Sequence, residues 1–217
     1  GYAGGNTTTQ LAVGYVDNGT NIIGNAGYKV RFTSDSDNFS YRSTVTDVGT
    51  YSSSGPTATQ ACAMTWAEGL VATAAATDNG TLWWAGNGVS DNDSAVVSLR
   101  STTLADNGST ATFTQAGVFD FVDEVNQLAL SYDHLNRPYV AALLDNGSVR
   151  LHWSIAGSTP AAYNGGIVSE LGDASKPIAL VRSADGKQLA LSYHTAASVA
   201  GGTDMKVVVI YADGSTN

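Results

Sequence analysis

The sequence predicts an all-β protein of short antiparallel strands in about four blade-like repeats, a β-propeller or part of one, with a two-sheet β-sandwich as the competing architecture. Three observations carry this expectation. The hexapeptide Gln127-Leu128-Ala129-Leu130-Ser131-Tyr132 returns as Gln188-Leu189-Ala190-Leu191-Ser192-Tyr193, an offset of 188 − 127 = 61 residues. Looser copies stand at Gln10–Tyr15 and Ala61–Trp66, each alternating apolar with small or polar side chains, the period-two pattern of a strand. Apolar runs then lead to turns at Asp37-Asn38, Asp78-Asn79-Gly80, Asp145-Asn146-Gly147 and Asp213-Gly214. Such turns need residues that tolerate positive φ, which makes Asp-Gly and Asn-Gly strong hairpin signals.

Taken in order, residues 1–9 form a Gly-, Asn- and Thr-rich lead that reads as a processed or trimmed end rather than a signal peptide. The first unit spans about 10–60, with strands at Gln10–Tyr15, Tyr28–Phe32 and Phe39–Val45, and closes on a Ser-, Gly- and Pro-containing loop. A second unit, 61–126, holds Ala61–Trp66, Leu70–Ala74 and a third strand carrying Leu82-Trp83-Trp84-Ala85, then an insertion with strands at Ala95–Arg100 and Thr110–Thr114. The third, 127–187, runs Gln127–Tyr132, a turn at Asn136-Arg137-Pro138, Tyr139–Leu144, the Asp145-Asn146-Gly147 turn and Ser148–Trp153, with an outer segment from Ala162 to Leu171. Ile178–Val181 and the turn Asp185-Gly186 lead into a fourth unit, 188–217, which stops after its second turn. Either the N-terminal lead supplies its missing strand and closes a small ring, or the chain is a fragment of a larger propeller. No segment has helical periodicity long enough for three turns. One blade cannot cover its own apolar faces, so blades are expected to pack face to face. Small residues such as Ala129, Ala141 and Ala190 suit crowded inner strands.

Composition narrows the function classes. Hydrophobic residues make up 43% of the 217 residues but charged residues only 13%, about half the usual share. The balance is 10 − 19 = −9, with the ten basic residues dispersed along the chain. That surface repels phosphate backbones and anionic membranes, which argues against nucleic acid as a partner. No run reaches the roughly 20 apolar residues of a membrane span, so membrane insertion is not expected. The single cysteine, Cys62, sits in an apolar strand and reads as a small buried residue.

Chemistry-bearing motifs are sparse. His134, His152 and His194 stand apart, with no second His or Cys at metal-ligand spacing. Two loops crowd short carboxylates at alternate positions, Asp35 and Asp37 in one, Asp91 and Asp93 in the other. Hard oxygen ligands in that arrangement suit Ca²⁺, although neither loop has the distal Glu of an EF-hand, and a solvated acidic turn is the simpler expectation. No cofactor is otherwise expected. A glycosidase pair could be drawn from Asp123 and Glu124 with Glu68 or Glu170, but no catalytic residue is assigned. The aromatics say more. Trp83 and Trp84 are adjacent on a strand and so point to opposite faces, with at most one in the core, and His152-Trp153 repeats that geometry in the next unit. Such rings either wedge between blades or stack against sugar rings. Seven Asn-x-Ser/Thr triplets, at Asn6, Asn18, Asn38, Asn79, Asn92, Asn107 and Asn146, could carry glycans in a secreted protein.

The rhythm of Leu-Ala-x-x-Tyr, an apolar strand to Asp-Asn-Gly, then Val149-Arg150-Leu151-His152-Trp153 resembles blades of lectin-type and sialidase-like β-propellers. The turn Ala76–Trp83 is similar to the Asp-box of the sialidase-like kind, matching at Asp78, Gly80 and Trp83 and departing at Ala76, where Ser or Thr is usual. In that family the Asp-box is a folding element remote from the active site, so the resemblance implies fold and not chemistry. The expected function is a non-catalytic extracellular binding module that recognises glycans on a cell or virion surface, with Trp83, Trp84, His152, Trp153, Tyr132 and Tyr193 as contacts. The alternative is a structural subunit of a virion, fibre or pilus that forms a homo-oligomer or filament through strand or edge contacts. A sialidase-like glycoside hydrolase is the second alternative.

Overall fold

The structure is a computed structural model, and it describes residues 2–5, 8–17, 27–35, 43–50, 61–67, 81–88, 95–103, 113–154, 163–167, 171–196 and 204–212. Among these there is no helix. The strands form antiparallel meanders in which each strand pairs with its neighbour in sequence. The first sheet, described by its backbone pairing, contains β1 (Tyr2–Gly5), β2 (Thr8–Asp17), β3 (Gly27–Asp35) and β4 (Ser43–Thr50). The second contains β5 (Cys62–Ala67), β6 (Thr81–Asn87), β7 (Val96–Thr103) and β8 (Thr114–Asp120). The third contains β9 (Val125–Tyr132), β10 (Pro138–Leu144), β11 (Val149–Ser154) and β12 (Tyr163–Ile167). The fourth contains β13 (Ala179–Arg182), β14 (Gln188–His194) and β15 (Met205–Tyr211).

The period-two pattern explains how these sheets stack. Successive side chains on a strand leave opposite faces, and β10 is buried along its whole length. Its Val140, Ala142 and Leu144 join Leu128 and Leu130 of β9 in a core shared with Ala85, Val97, Leu99 and Phe119 of the second sheet. Its Tyr139, Ala141 and Leu143 enter a separate core with Leu180, Leu189, Leu191 and Tyr193 of the fourth sheet. The third sheet is therefore a middle layer with two apolar faces. First strands lie side by side along the stack, β5 against β9 and β9 against β13.

Of the four hairpin turns expected, the one within the described residues follows the residues predicted for it. At Asp145-Asn146-Gly147 the Gly147 N–H donates to Leu144 C=O at 2.9 Å, Leu144 N–H donates to Ser148 C=O at 2.9 Å, and Gly147 has φ 83°. The Asn146 side chain accepts from Ser148 N–H. The turns expected at Asp37-Asn38, Asp78-Asn79-Gly80 and Asp213-Gly214 lie outside the described residues. Three other expectations change. Tyr2–Gly5, expected in a lead that could complete the fourth unit, is instead an edge strand of the first sheet, paired with β2. Gln127–Tyr132 is in the first strand of its sheet, whereas Gln188–Tyr193 is in the second of its own, because β13 precedes and pairs with β14. Likewise β6, with Trp83-Trp84, is a second strand, because β5 pairs directly with it through Cys62↔Gly86. His152-Trp153 is on a third strand. The two aromatic pairs therefore do not hold equivalent ranks.

Two residues tie the second sheet together and to the third. The Asn87 side chain accepts from Ala61 N–H at 2.9 Å and donates to Val125 C=O at 3.1 Å, joining the starts of β5 and β9. Gly86 leaves room for Trp84, since a Cβ there would lie 2.4 Å from the indole ring. Cys62 is half-buried, and burial pushes its thiol pKa up, away from the reactive thiolate.

Gly86→Ala should destabilise the fold by roughly 1–3 kcal/mol through overpacking. Chemical denaturation should show that cost, and it should shrink when Trp84→Phe removes the ring atoms in the way.

Candidate functional site

A cleft of about 390 Å³ opens at the seam between the third and fourth sheets, walled by Tyr139, Trp153 and Tyr211 together with His134, Arg137 and Ala212. Tyr139 and Trp153 face each other across β10 and β11 as a directly opposed pair. Their rings stack with centroids 6.2 Å apart and planes 13° from parallel. Cross-strand aromatic pairs of this kind hold each other's rotamers. Trp153 is half-buried, while Tyr139, stacked against it, is only 3% exposed.

The floor is set by an ionic pin. Asp133, fully buried, follows β9 and receives the N–H groups of Leu135 at 2.8 Å and Arg137 at 3.0 Å, which shapes the connection to β10. Its other oxygen accepts from Arg137 Nε, and Arg137 Nη2 donates to Ala212 C=O at 2.7 Å, just past β15. The guanidinium thus bridges the two sheets with its charge balanced by Asp133. Alongside it, His134 N–H donates to Gly186 C=O at 3.0 Å. Gly186 has φ 70°, and a Cβ there would fall 2.7 Å from His134 N, so only glycine fits this approach. Burial first, and then the neighbouring Asp133 carboxylate, pushes the Tyr139 phenol pKa up to about 12. The cleft is therefore aromatic, held by charge-balanced polar groups, and neutral at the tyrosine beside Asp133.

The residues predicted as ligand contacts separate. Trp153 lines the cleft. His152, on the opposite face of β11, packs between Phe119 and Phe121 at centroid distances of 5.2 and 4.6 Å. Burial, then the nearby Arg150, lowers its pKa, so it is a neutral packed ring. Trp83 packs against the same core between the second and third sheets. Trp84 points to the other face of β6 and is fully buried. Tyr193 is 2% exposed in the core between the third and fourth sheets. Tyr132 is buried with the Arg182 guanidinium 4.3 Å from its ring centroid, a cation–π contact joining those two sheets. Sequence reasoning passed over Tyr139, Tyr211, Arg137 and Asp133. A signal for Tyr139 existed, because it and Trp153 stand equally far from the centre of the hairpin turn, 146 − 139 = 7 and 153 − 146 = 7.

Of the acidic positions weighed for Ca²⁺, Asp35 ends β3 and Asp37, Asp91 and Asp93 lie outside the described residues, as do Glu68 and Glu170. Asp123 and Glu124 sit in the connection from β8 to β9, away from the cleft, where Asp123 accepts from Glu124 N–H at 2.9 Å. Among the described residues no group of three or more His, Cys, Asp or Glu side chains is placed to hold a metal ion, and no helix is long and apolar enough to cross a membrane. No family model and no curated protein matches the chain.

Asp133→Ala should destabilise the protein by about 3–5 kcal/mol, because it strands the Arg137 charge and the N–H groups of the connection, a loss readable in a denaturant titration. Raising the pH should weaken the fold between about pH 10, the ordinary tyrosine value, and pH 12. In that window the folded state keeps a proton that the unfolded chain has lost, so stability falls as pH rises. Tyr139→Phe should remove part of that slope when the two proteins are compared across the same range.

Proposed function

We propose that this chain is a non-catalytic, extracellular glycan-binding module built as a β-propeller or part of one, with the cleft beside Trp153 as a sugar site. The observation that carries this reading is the stacked Tyr139–Trp153 pair at the cleft, with Tyr211 on the fourth-sheet side. A half-buried indole fixed from behind offers the flat apolar area with a polar edge that suits the C–H face of a pyranose ring. The remaining Arg137 donors and the Tyr211 hydroxyl are the polar groups that would orient sugar hydroxyls. Because Asp133 balances Arg137, the cleft favours an uncharged sugar over a carboxylate-bearing one.

The blade reading draws on the sequential meanders of three or four strands, on the apolar layers between successive sheets and on the first strands lying side by side. Ligand clefts at seams between such units follow from the same packing, since neighbouring sheets meet tightly along their middles and part at the strand ends. Extracellular placement draws on the Asn-x-Ser/Thr triplets, of which Asn146 stands exposed on its turn.

Chromatography on columns bearing fucose, galactose, mannose or N-acetylglucosamine tests the reading. At least one column should retain the protein, and Trp153→Ala should weaken binding about tenfold, the scale of one lost aromatic contact, while the folding transition stays cooperative. His152→Ala, on the other face of β11, should leave sugar affinity unchanged. Retention on none of them, or affinity indifferent to Trp153, would sink the proposal.

A further inference from the structure

Among the described residues the fourth sheet leaves an apolar face open. Its inner face packs Leu180, Leu189, Leu191 and Tyr193 against the third sheet, but Val181, Met205, Val207 and Val209 on the opposite face are 59%, 64%, 60% and 44% exposed. At its margin β15 pairs only with β14 among the described residues. The backbone phase of that edge can be read from its two ends. Ala212 N–H donates to Lys187 C=O, and Asp204 C=O accepts from Thr195 N–H, both at 2.8 Å. Even-numbered residues of β15 therefore turn their amides and carbonyls toward β14, and Met205, Val207, Val209 and Tyr211 turn theirs outward. An edge of this length, rich in β-branched residues and with one charge, Lys206, is a template for another strand.

We propose that the occupant of this edge is the β15 of a second copy of the chain, antiparallel across a two-fold axis at Val208. Two arguments favour a second copy. The first is self-complementarity. In this register the outward-facing Val207 of one copy exchanges both backbone hydrogen bonds with Val209 of the other, and Met205 does so with Tyr211. Lys206 falls opposite Ile210 rather than its own counterpart, so no like charges meet, and the exposed valines of both copies form one stripe. The second is charge. Residues 171–217 carry Lys176, Arg182, Lys187 and Lys206 against Asp173, Asp185, Asp204 and Asp213, so 4 − 4 = 0, and the formal −9 of the chain falls on residues 1–170. Two copies meeting through the fourth sheet bring together a part of the molecule that carries no net charge, and the acidic residues 1–124 stay outside the contact, so the contact adds no net charge repulsion of its own. The contact is isologous and closes on itself, giving a dimer with a continuous sheet of six strands and no open filament.

Light scattering coupled to size exclusion, over a range of protein concentration, reads the outcome directly, with a mass twice that of the chain expected at the upper end. Val207→Pro removes one outward N–H without touching the β14 ladder, a substitution edge strands tolerate, and should return the protein to a monomer with unchanged circular dichroism. Hydrogen exchange on the unmodified protein gives an independent reading, with the amides of Val207 and Val209 protected in the dimer and losing that protection on dilution. A monomer at every concentration would overturn the proposal, as would exchange at those two amides that dilution does not alter. A dimer broken by Val181→Lys as readily as by Val207→Pro would also overturn it, since Val181 lies on the apolar face but on β13, away from the β15 edge. None of these outcomes depends on whether the cleft beside Trp153 binds sugar.

Discussion

Each strand of the third sheet that is buried on both sides must find an apolar neighbour on both sides, and that constraint organises the described structure. β10 makes it plain. A run of seven buried residues cannot stand with one face in water, and burial of each large aliphatic side chain contributes about 1.5–3 kcal/mol. The second sheet supplies one cover and the fourth the other. Small residues let the layers approach, with Ala129, Ala141 and Ala142 filling positions where a larger side chain would hold the sheets apart. Hydrogen bonds then fix the alignment: Asn87 joins the second sheet to the third, and Arg137, His134 and Gly186 join the third to the fourth.

The cleft is a consequence of how that packing ends. Along the middle of the seam aliphatic side chains fill the space, but at the strand ends the large rings of Tyr139, Trp153 and Tyr211 meet the small Ala212 and a polar connection. At that end the stacked Tyr139–Trp153 pair lies beside the Asp133–Arg137 ion pair, and the cleft opens between them and the end of β15. A buried ion pair of this sort contributes little net stability compared with apolar packing. What it provides is position, since Arg137 reaches the carbonyl after β15 only while Asp133 holds it. The same layer logic, carried past the fourth sheet, leaves the apolar face and the edge, unpaired among the described residues, from which pairing with a second copy is inferred.

Much of this was legible in the residues. The all-β class follows from alternation and turn chemistry, and the Asp145-Asn146-Gly147 turn fixes the β10–β11 register closely enough to pair Tyr139 with Trp153. Adjacent Trp83 and Trp84 do face opposite ways, but both pack into apolar layers, where at most one was expected in the core, because the sheet carrying them is covered on both faces. Which aromatic lines a cleft was not legible, because the answer lies in contacts between residues far apart in sequence. Trp153 and His152 carry similar local signals, yet one meets Tyr139 and the end of β15 while the other is enclosed by Phe119 and Phe121. Asp133 reads as an ordinary turn residue until the 75 residues separating Arg137 from Ala212 are closed by folding.

The repeated hexapeptide shows where the division falls. In both copies the sequence alone determined a strand, its alternation and the side chains that share a face, since these depend on backbone geometry within a few residues. It could not determine burial. In β9 the copy is enclosed from Leu128 to Tyr132, and Ser131 is 3% exposed, because a sheet lies on each side. In β14 Leu189, Leu191 and Tyr193 are buried while Gln188 is exposed and Ala190 and Ser192 are half-buried. Identical residues thus become a core strand in one place and a two-sided strand in the other. The tertiary structure decided this, because burial is a property of what packs against a strand and not of the strand itself.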